Sequence, residues 1–384
     1  MTSNSSTINI EKPVASAARR ITGRSFPSVF QAWNRADNLP GESLEYSLSR
    51  HDLIFHGPQY FKLLPDNPWQ GLNTRYVHSS ITAGLAFRQR LLAANPNTVL
   101  ICELRYRDAY SWYLPTTHLW WQRDSNGCRL QGWEEGHYFM LDYHQEAFQN
   151  HVASQAQAIM QTGVVDGIML DWWEEDDVRV KLVQRIRHAI GERALILVNT
   201  NDRTFTASAP YVNGSFMECW RSRNTEDWIR ISNTLLWAEE HARSPRINCL
   251  ETWFHNSRED LNLMRATTCL ALTHSRAYCL FADPNDLPTP DHLHNWYPFW
   301  SERIGHPTER GHKRADGSWL RRFETGTAVY NPPANSPVSV RFRRPHRSLA
   351  TGTIGTHHKV PAWDGDIFID TAQPGDETAT RCSK

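Results

Sequence analysis

The sequence lacks a membrane span, a net charge and the common cofactor motifs, and each absence narrows its function. No run approaches the ~20 apolar residues that cross a bilayer. The leader, Met1 to Ala18, is rich in Ser, Thr and Asn and holds no apolar signal-peptide core. A cytoplasmic location is the default expectation, with export by another route left open, and no membrane partner is expected. Lys plus Arg and Asp plus Glu each total 41, so nothing suggests a polyanionic partner such as nucleic acid. No CxxC, HExxH or EF-hand loop marks a metal site, no GxxxxGK[ST] or GxGxxG a nucleotide site, and no GxSxG a nucleophile elbow. Neither a metal nor a cofactor is expected. His292-Leu293-His294 has a weak metal-like spacing, but with 18 His scattered along the chain a chance pair accounts for it. The seven Cys are an odd number. Cys102, Cys219, Cys249 and Cys279 lie in apolar runs and Cys128 and Cys382 in polar segments, which suits reduced thiols.

What the chain does have is tryptophan, 16 of them in 384 residues. Trp is large and its N–H needs a partner, so an excess points to an aromatic-lined groove as well as to a core. Apolar strand-like runs alternate with helical patterns, the signature of βαβ units around a parallel sheet. There are eight: Phe26–Trp33, Asp52–His56, Thr98–Glu103, Gly167–Trp172, Leu195–Asn199, Gly214–Trp220, Ile247–Trp253 and Ala277–Phe281. Eight closes an α/β (β/α)8 TIM barrel. The helices between are one-sided: Ser79–Ala94 stops before Asn95-Pro96, and Val178 to Ile190 stops at Gly191. Thr225 is read as one cap, and Ser257 with Asp260 as a capping box. Residues 1–22 read as a flexible leader, 23–300 as the barrel, 301–370 as a small antiparallel β appendage and 371–384 as a disordered tail. Within the appendage Trp319–Val329 and Pro337–Phe342 read as strands, with Asp316-Gly317 and Asp364-Gly365 as turns. Asp108 to Tyr143, long and aromatic, reads as a wall or lid over the barrel mouth.

Barrels of this type keep their chemistry at the C-terminal strand ends. Those ends carry Glu103, Asp171, Asn199, Glu218 and Glu251. Glycoside hydrolysis needs two carboxyl groups, one as acid on the leaving oxygen and one as nucleophile or base. Asp171 and Glu218 are the candidate pair. Glu251 and Glu103 would assist or bind sugar, Asn199 would donate to a hydroxyl, and Trp172, Trp173 and Trp220 would form the stacking surface. Plainer roles compete: Asp171 as an N-cap, Glu218 as a partner of Arg221 or Arg223, Glu251 and Glu103 as loop anchors.

Two passages carry a family resemblance. One is Asp166-Gly167-Ile168-Met169-Leu170-Asp171 with Asn199 and Asn213-Gly214-Ser215-Phe216-Met217-Glu218. The other is Gly305-His306-Pro307 with Gly317 through Pro332, closing at Trp363-Asp364-Gly365-Asp366-Ile367-Phe368. Over roughly 26–370 the chain resembles putative glycoside hydrolases with a TIM barrel, the hypothetical glycosyl-hydrolase-like families. The resemblance implies a carbohydrate substrate, with Asp171 as nucleophile or base and Glu218 as acid. Two alternatives remain: a carbohydrate-binding barrel without catalysis, and a protein-interaction module that uses the 108–143 loop.

Overall fold

The computed structural model describes residues 15–37, 41–134, 136–220, 224–253, 258–282 and 292–371. Eight parallel strands form one sheet: β1 (Phe30–Ala32), β2 (Leu53–His56), β3 (Val99–Glu103), β4 (Gly167–Leu170), β5 (Leu195–Asn199), β6 (Gly214–Trp220), β7 (Cys249–Trp253) and β8 (Tyr278–Ala282), in chain order. A parallel bridge between Val29 and Cys279 brings the last strand against the first. The result is a (β/α)8 barrel.

Alternation along the strands builds two core layers. Phe55, Ile101, Met169 and Leu197 join the cluster that fills the barrel. Their neighbours Ile54, Leu100, Ile168, Ile196 and Val198 face outward, packed under the helices. Side chains on a strand alternate between faces, so one apolar run serves both layers. An aromatic plug of Phe30, Phe55 and Phe216 fills the middle, with ring centroids 5.0–6.0 Å apart. Gly167 opens β4 because a Cβ there would sit 2.2 Å from the Leu195 carbonyl oxygen.

The outer ring is made of α1 (Ala17–Gly23), α2 (Leu44–Ser49), α3 (His78–Ala94), α4 (Glu146–Gln161), α5 (Asp177–Ile190), α6 (Thr225–His241) and α7 (Leu261–His274). Three details differ from the sequence reading. The leader, expected to be flexible through residue 22, is helical from Ala17, because the buried Arg20 reaches Asp166 at the start of β4. The cap of α6 is Asn224, whose side chain accepts from the Asp227 N–H, and Thr225 is the first helical residue. Asp260 caps α7 by accepting from the Leu263 N–H, while Ser257 lies outside the described residues. Gly191 ends α5 at φ 76, as its position suggested.

Beyond the barrel a six-stranded antiparallel sheet follows: β9 (His312–Lys313), β10 (Trp319–Arg322), β11 (Gly326–Asn331), β12 (Val338–Ser348), β13 (Ile354–Val360) and β14 (Asp364–Asp370), in the order β9-β10-β11-β14-β12-β13. Asp364-Gly365 begins a strand rather than forming a turn. A Cβ on Gly365 would lie 2.5 Å from the Cβ of Cys269 in α7, so the sheet packs backbone-close on that helix. Among the described residues no helix is long and apolar enough to cross a membrane. Cys102, Cys219, Cys249, Cys269 and Cys279 are free and buried, and Cys128 is free and exposed; Cys382 lies outside the described residues.

Candidate active site

The C-terminal ends of β3 to β7 bring Glu103, Asp171, Asn199, Glu218 and Glu251 to one mouth. Asp171 follows directly on β4, where the chain turns sharply: Trp172 has φ 52. A bulky residue in the left-handed region costs of order 1–3 kcal/mol and persists only where its surroundings impose it. Here the Tyr106 hydroxyl donates to the Trp172 carbonyl at 2.9 Å, and the Trp173 N–H donates to the Asn199 carbonyl at 2.7 Å. The turn frees Asp171 from the helix that follows; the cap of α5 is Asp176.

Asn199 links the acids. Its side-chain N–H groups donate to Asp171 Oδ1 at 2.8 Å and to Glu218 Oε2 at 2.7 Å. Two oxygens on one nitrogen can be no further apart than the two bonds laid end to end, 2.8 plus 2.7, or about 5.5 Å. Asn199 thus spends its donors on carboxyl groups, leaving none for a sugar hydroxyl. Asn201, at φ 52, supports the site from behind, its side chain donating to the Glu218 carbonyl at 2.9 Å.

Glu218 sits opposite Glu251 in register on β6 and β7. His292, in the connection after β8, lies between them, its Nδ1 2.9 Å from both Glu251 oxygens and its Nε2 3.6 Å from Glu218 Oε1. The imidazole is stacked on Trp253 at 5.1 Å and tilted against Trp33 at 4.9 Å. Glu251 is fully buried, so it reaches the mouth through His292. Glu103 accepts from the Trp33 indole at 2.9 Å and pairs with Arg105 at 3.1 Å.

Burial sets the protonation. Loss of solvation pushes the Glu218 carboxyl up to about 8, with the negative Asp171 and Glu251 adding to it and His292 and Asn199 opposing. Its side chain nonetheless keeps 18% of its surface open to the mouth. Burial likewise raises Glu103, against the pull of Arg105. At neutral pH, Glu218 therefore carries a proton.

The aromatic expectations divide. Trp172 is 47% exposed, with Arg107 4.5 Å above its ring. Trp173 is fully buried, its indole N–H donating to Ser208 at 3.2 Å, and it offers no face to a ligand. Adjacent residues at such a turn point to opposite sides, so only one of the pair lines the mouth. Trp220 ends β6, but its side chain lies outside the described residues, as do Arg221 and Arg223. The 108–143 segment folds around a hairpin of Asp108–Tyr110 and Tyr138–Met140. Tyr113, Leu114 and Trp121 are buried in the same apolar layer that lies under the helices outside the strands, and Arg105 packs 4.7 Å from the Tyr138 ring on the β3 side of the mouth. Trp112 is left 67% exposed.

Sequence reasoning set His292 aside as half of a chance histidine pair and missed Trp33 and Trp253. Trp33 directly follows β1 and Trp253 ends β7, so the strand-end reading that found the acids also pointed to them. His292 has no periodic signal, since it lies in the connection after the last strand. Among the described residues no cluster of three His, Cys, Asp or Glu suits a metal ion.

No protein-family model matches the chain. No curated protein matches it either. Solved structures do. A noncanonic maltogenic alpha-amylase from Thermotoga neapolitana superposes with TM-score 0.55 at 12% identity, over 90% of this chain and 99% of that one. Alpha-amylases from Malbranchea cinnamomea (TM-score 0.54, 10% identity, 92% and 97% covered) and Lactobacillus plantarum (0.52, 9%, 93% and 100%) are similar. The likeness is one of fold: this chain is built, like those amylases, as an α/β barrel with a β-sheet at its C-terminal end.

Proposed function

We propose that the chain is a glycoside hydrolase acting on an oligo- or polysaccharide, with Asp171 as nucleophile and Glu218 as general acid and base. The carrying observation is the Asn199 amide that holds both carboxyl groups at once. Carboxyl groups ≈ 5–5.5 Å apart are the spacing of double displacement with retention, whereas inversion leaves ≈ 6.5–9.5 Å for a water. Glu218, protonated at neutral pH, gives its proton to the glycosidic oxygen as the bond from that oxygen to the anomeric carbon breaks. Asp171 closes on the anomeric carbon, forming a covalent ester. Glu218, now a carboxylate, takes a proton from water; the water oxygen bonds to the anomeric carbon and Asp171 leaves. Trp172 supplies a half-open ring for stacking beside the nucleophile. The like-folded proteins are alpha-amylases, in agreement with a carbohydrate substrate. A barrel that merely binds sugar has no need to clamp two acids on one amide.

A hydrolysis screen across polysaccharides, with wild type and Asp171→Asn in parallel, tests this. The wild type should release reducing ends from at least one polymer, and the variant should lose that activity. Proton NMR of the first product should show the anomer of the substrate. An Asp171→Asn protein of full rate would overturn the assignment, and an inverted product the double displacement.

A further inference from the structure

The C-terminal sheet holds a second concavity far from these acids in sequence. Strand β12 pairs with β13 up to Arg341 and again from His346, with a register shift between, and it meets β14 from His346 to Ser348. β14 lies between β11 and β12 in the sheet, and residues of β10, β11 and β12 line a groove of about 460 Å³. Arg314, Arg322, Arg341, His312 and His346 line it, with Phe342 and Leu320 as apolar wall and Gly326 and Thr327 as small residues beside them. Its acidic lining residue, Asp370, is taken by the His346 ring at 2.5 Å.

The charge there is uneven. Residues 312–370 contain nine Lys and Arg against five Asp and Glu, although the whole chain sums to zero. Two of the five acids are buried and occupied: Asp364 receives Arg265 at 2.7 Å, and Asp366 accepts the Ser348 hydroxyl at 2.5 Å. Arg314 is paired with Asp316 at 3.2 Å, but two of the lining cations are open. Arg322 is exposed and has only Glu309 near it, at 3.9 Å; Arg341 is exposed, with its Nε donating to His357 at 3.3 Å. Planar guanidinium forks of this kind fit carboxylate or sulfate oxygens in pairs. Phe342 stacks on His346 at 3.8 Å, a flat rigid wall of the sort a sugar ring lies against.

We propose that this groove binds an anionic glycan, a polymer bearing carboxylate or sulfate groups, and so brings such a substrate to the barrel. The proposal rests on the glycoside hydrolase reading for its role, and on Arg322 and Arg341 for its chemistry.

Affinity electrophoresis of the full chain carrying Asp171→Asn, through gels of polygalacturonate, dextran sulfate or neutral dextran, tests it. One or both charged polymers should retard the protein, neutral dextran should not, and added salt should weaken the retardation. Arg322→Ala with Arg341→Ala should weaken binding at least five-fold, while the Lys pair at the same positions keeps part of it. Retention of binding by the Ala pair, with an unchanged thermal midpoint, would overturn the groove, as would equal retardation by neutral dextran. So would a preference for single-stranded DNA or for anionic vesicles over both polymers. Because Asp171→Asn removes hydrolysis from the assay, loss of binding and loss of catalysis are read separately.

Discussion

At the scale of single residues, Glu218 carries the sharpest expectation. Its carboxyl is pushed up to about 8, so the acid form needed for leaving-group protonation persists at neutral pH and is lost above that value. The rate should therefore fall on the alkaline side, with a limb near 8. Glu218→Gln should lower hydrolysis by about 10²- to 10⁴-fold and remove the limb. His292 holds the Glu218 carboxyl down, so His292→Gln should move the limb to higher pH. A pH–rate profile with the limb unmoved or shifted downward would sink that role. Stability is linked in a definite sense. The folded chain keeps the Glu218 proton between 4.5 and about 8 while the unfolded chain gives it up. This contribution is complete below 4.5 and declines as pH rises to about 8. Glu218→Gln should flatten that decline in denaturant midpoints.

At the scale of elements, much was legible because strands buried on both faces must be apolar throughout, and eight such runs stand out between amphipathic helices. Asp171, Asn199, Glu218 and Glu251 were found as the polar residues closing those runs. What escaped depended on contacts distant in sequence. Trp172 and Trp173 look equivalent until a left-handed turn sends one outward. His292 belongs to the site through Glu251, 41 residues earlier. The leader helix α1 looked unstructured because its anchor is one arginine, Arg20, whose partner Asp166 is 146 residues away. Asp166 also receives Arg88 at 2.7 Å and the Leu100 N–H at 3.0 Å. Burial alone would raise its carboxyl, but the two guanidiniums hold it below the usual range. Its stabilising effect is thus present above 3.8, the ordinary value, and lost as pH falls through the lower folded value. Arg20→Ala should cost about 1.5–3 kcal/mol, the worth of hydrogen bonds to a charged group. A change near zero in urea denaturation would return α1 to the status of a loose leader.

At the scale of the whole molecule, the question is whether barrel and C-terminal sheet are one cooperative unit. The apolar cluster inside the barrel runs on through Leu270, Ala271 and Trp300 to Ala328, Tyr330 and Ile367 of the sheet. Helix α7 is the shared element, with eleven of its fourteen residues buried. Arg265 on that helix clasps Asp364 with two bonds, 2.8 and 2.7 Å, and the Trp300 indole donates to Thr268 at 2.8 Å. A core shared in this way has no seam along which one part melts alone. Calorimetry should show a single transition. Gly365→Val tests the seam directly, since its Cβ would meet Cys269 at 2.5 Å and the Arg265 carbonyl at 2.7 Å. Forcing the sheet from α7 by roughly an ångström should cost about 1–3 kcal/mol or more, as overpacking does. The expected result is one transition at a lower midpoint, with hydrolysis lost at that same temperature. A variant showing two resolved transitions, the upper at the wild-type midpoint, would mean that the barrel holds itself together and the sheet merely rides on it.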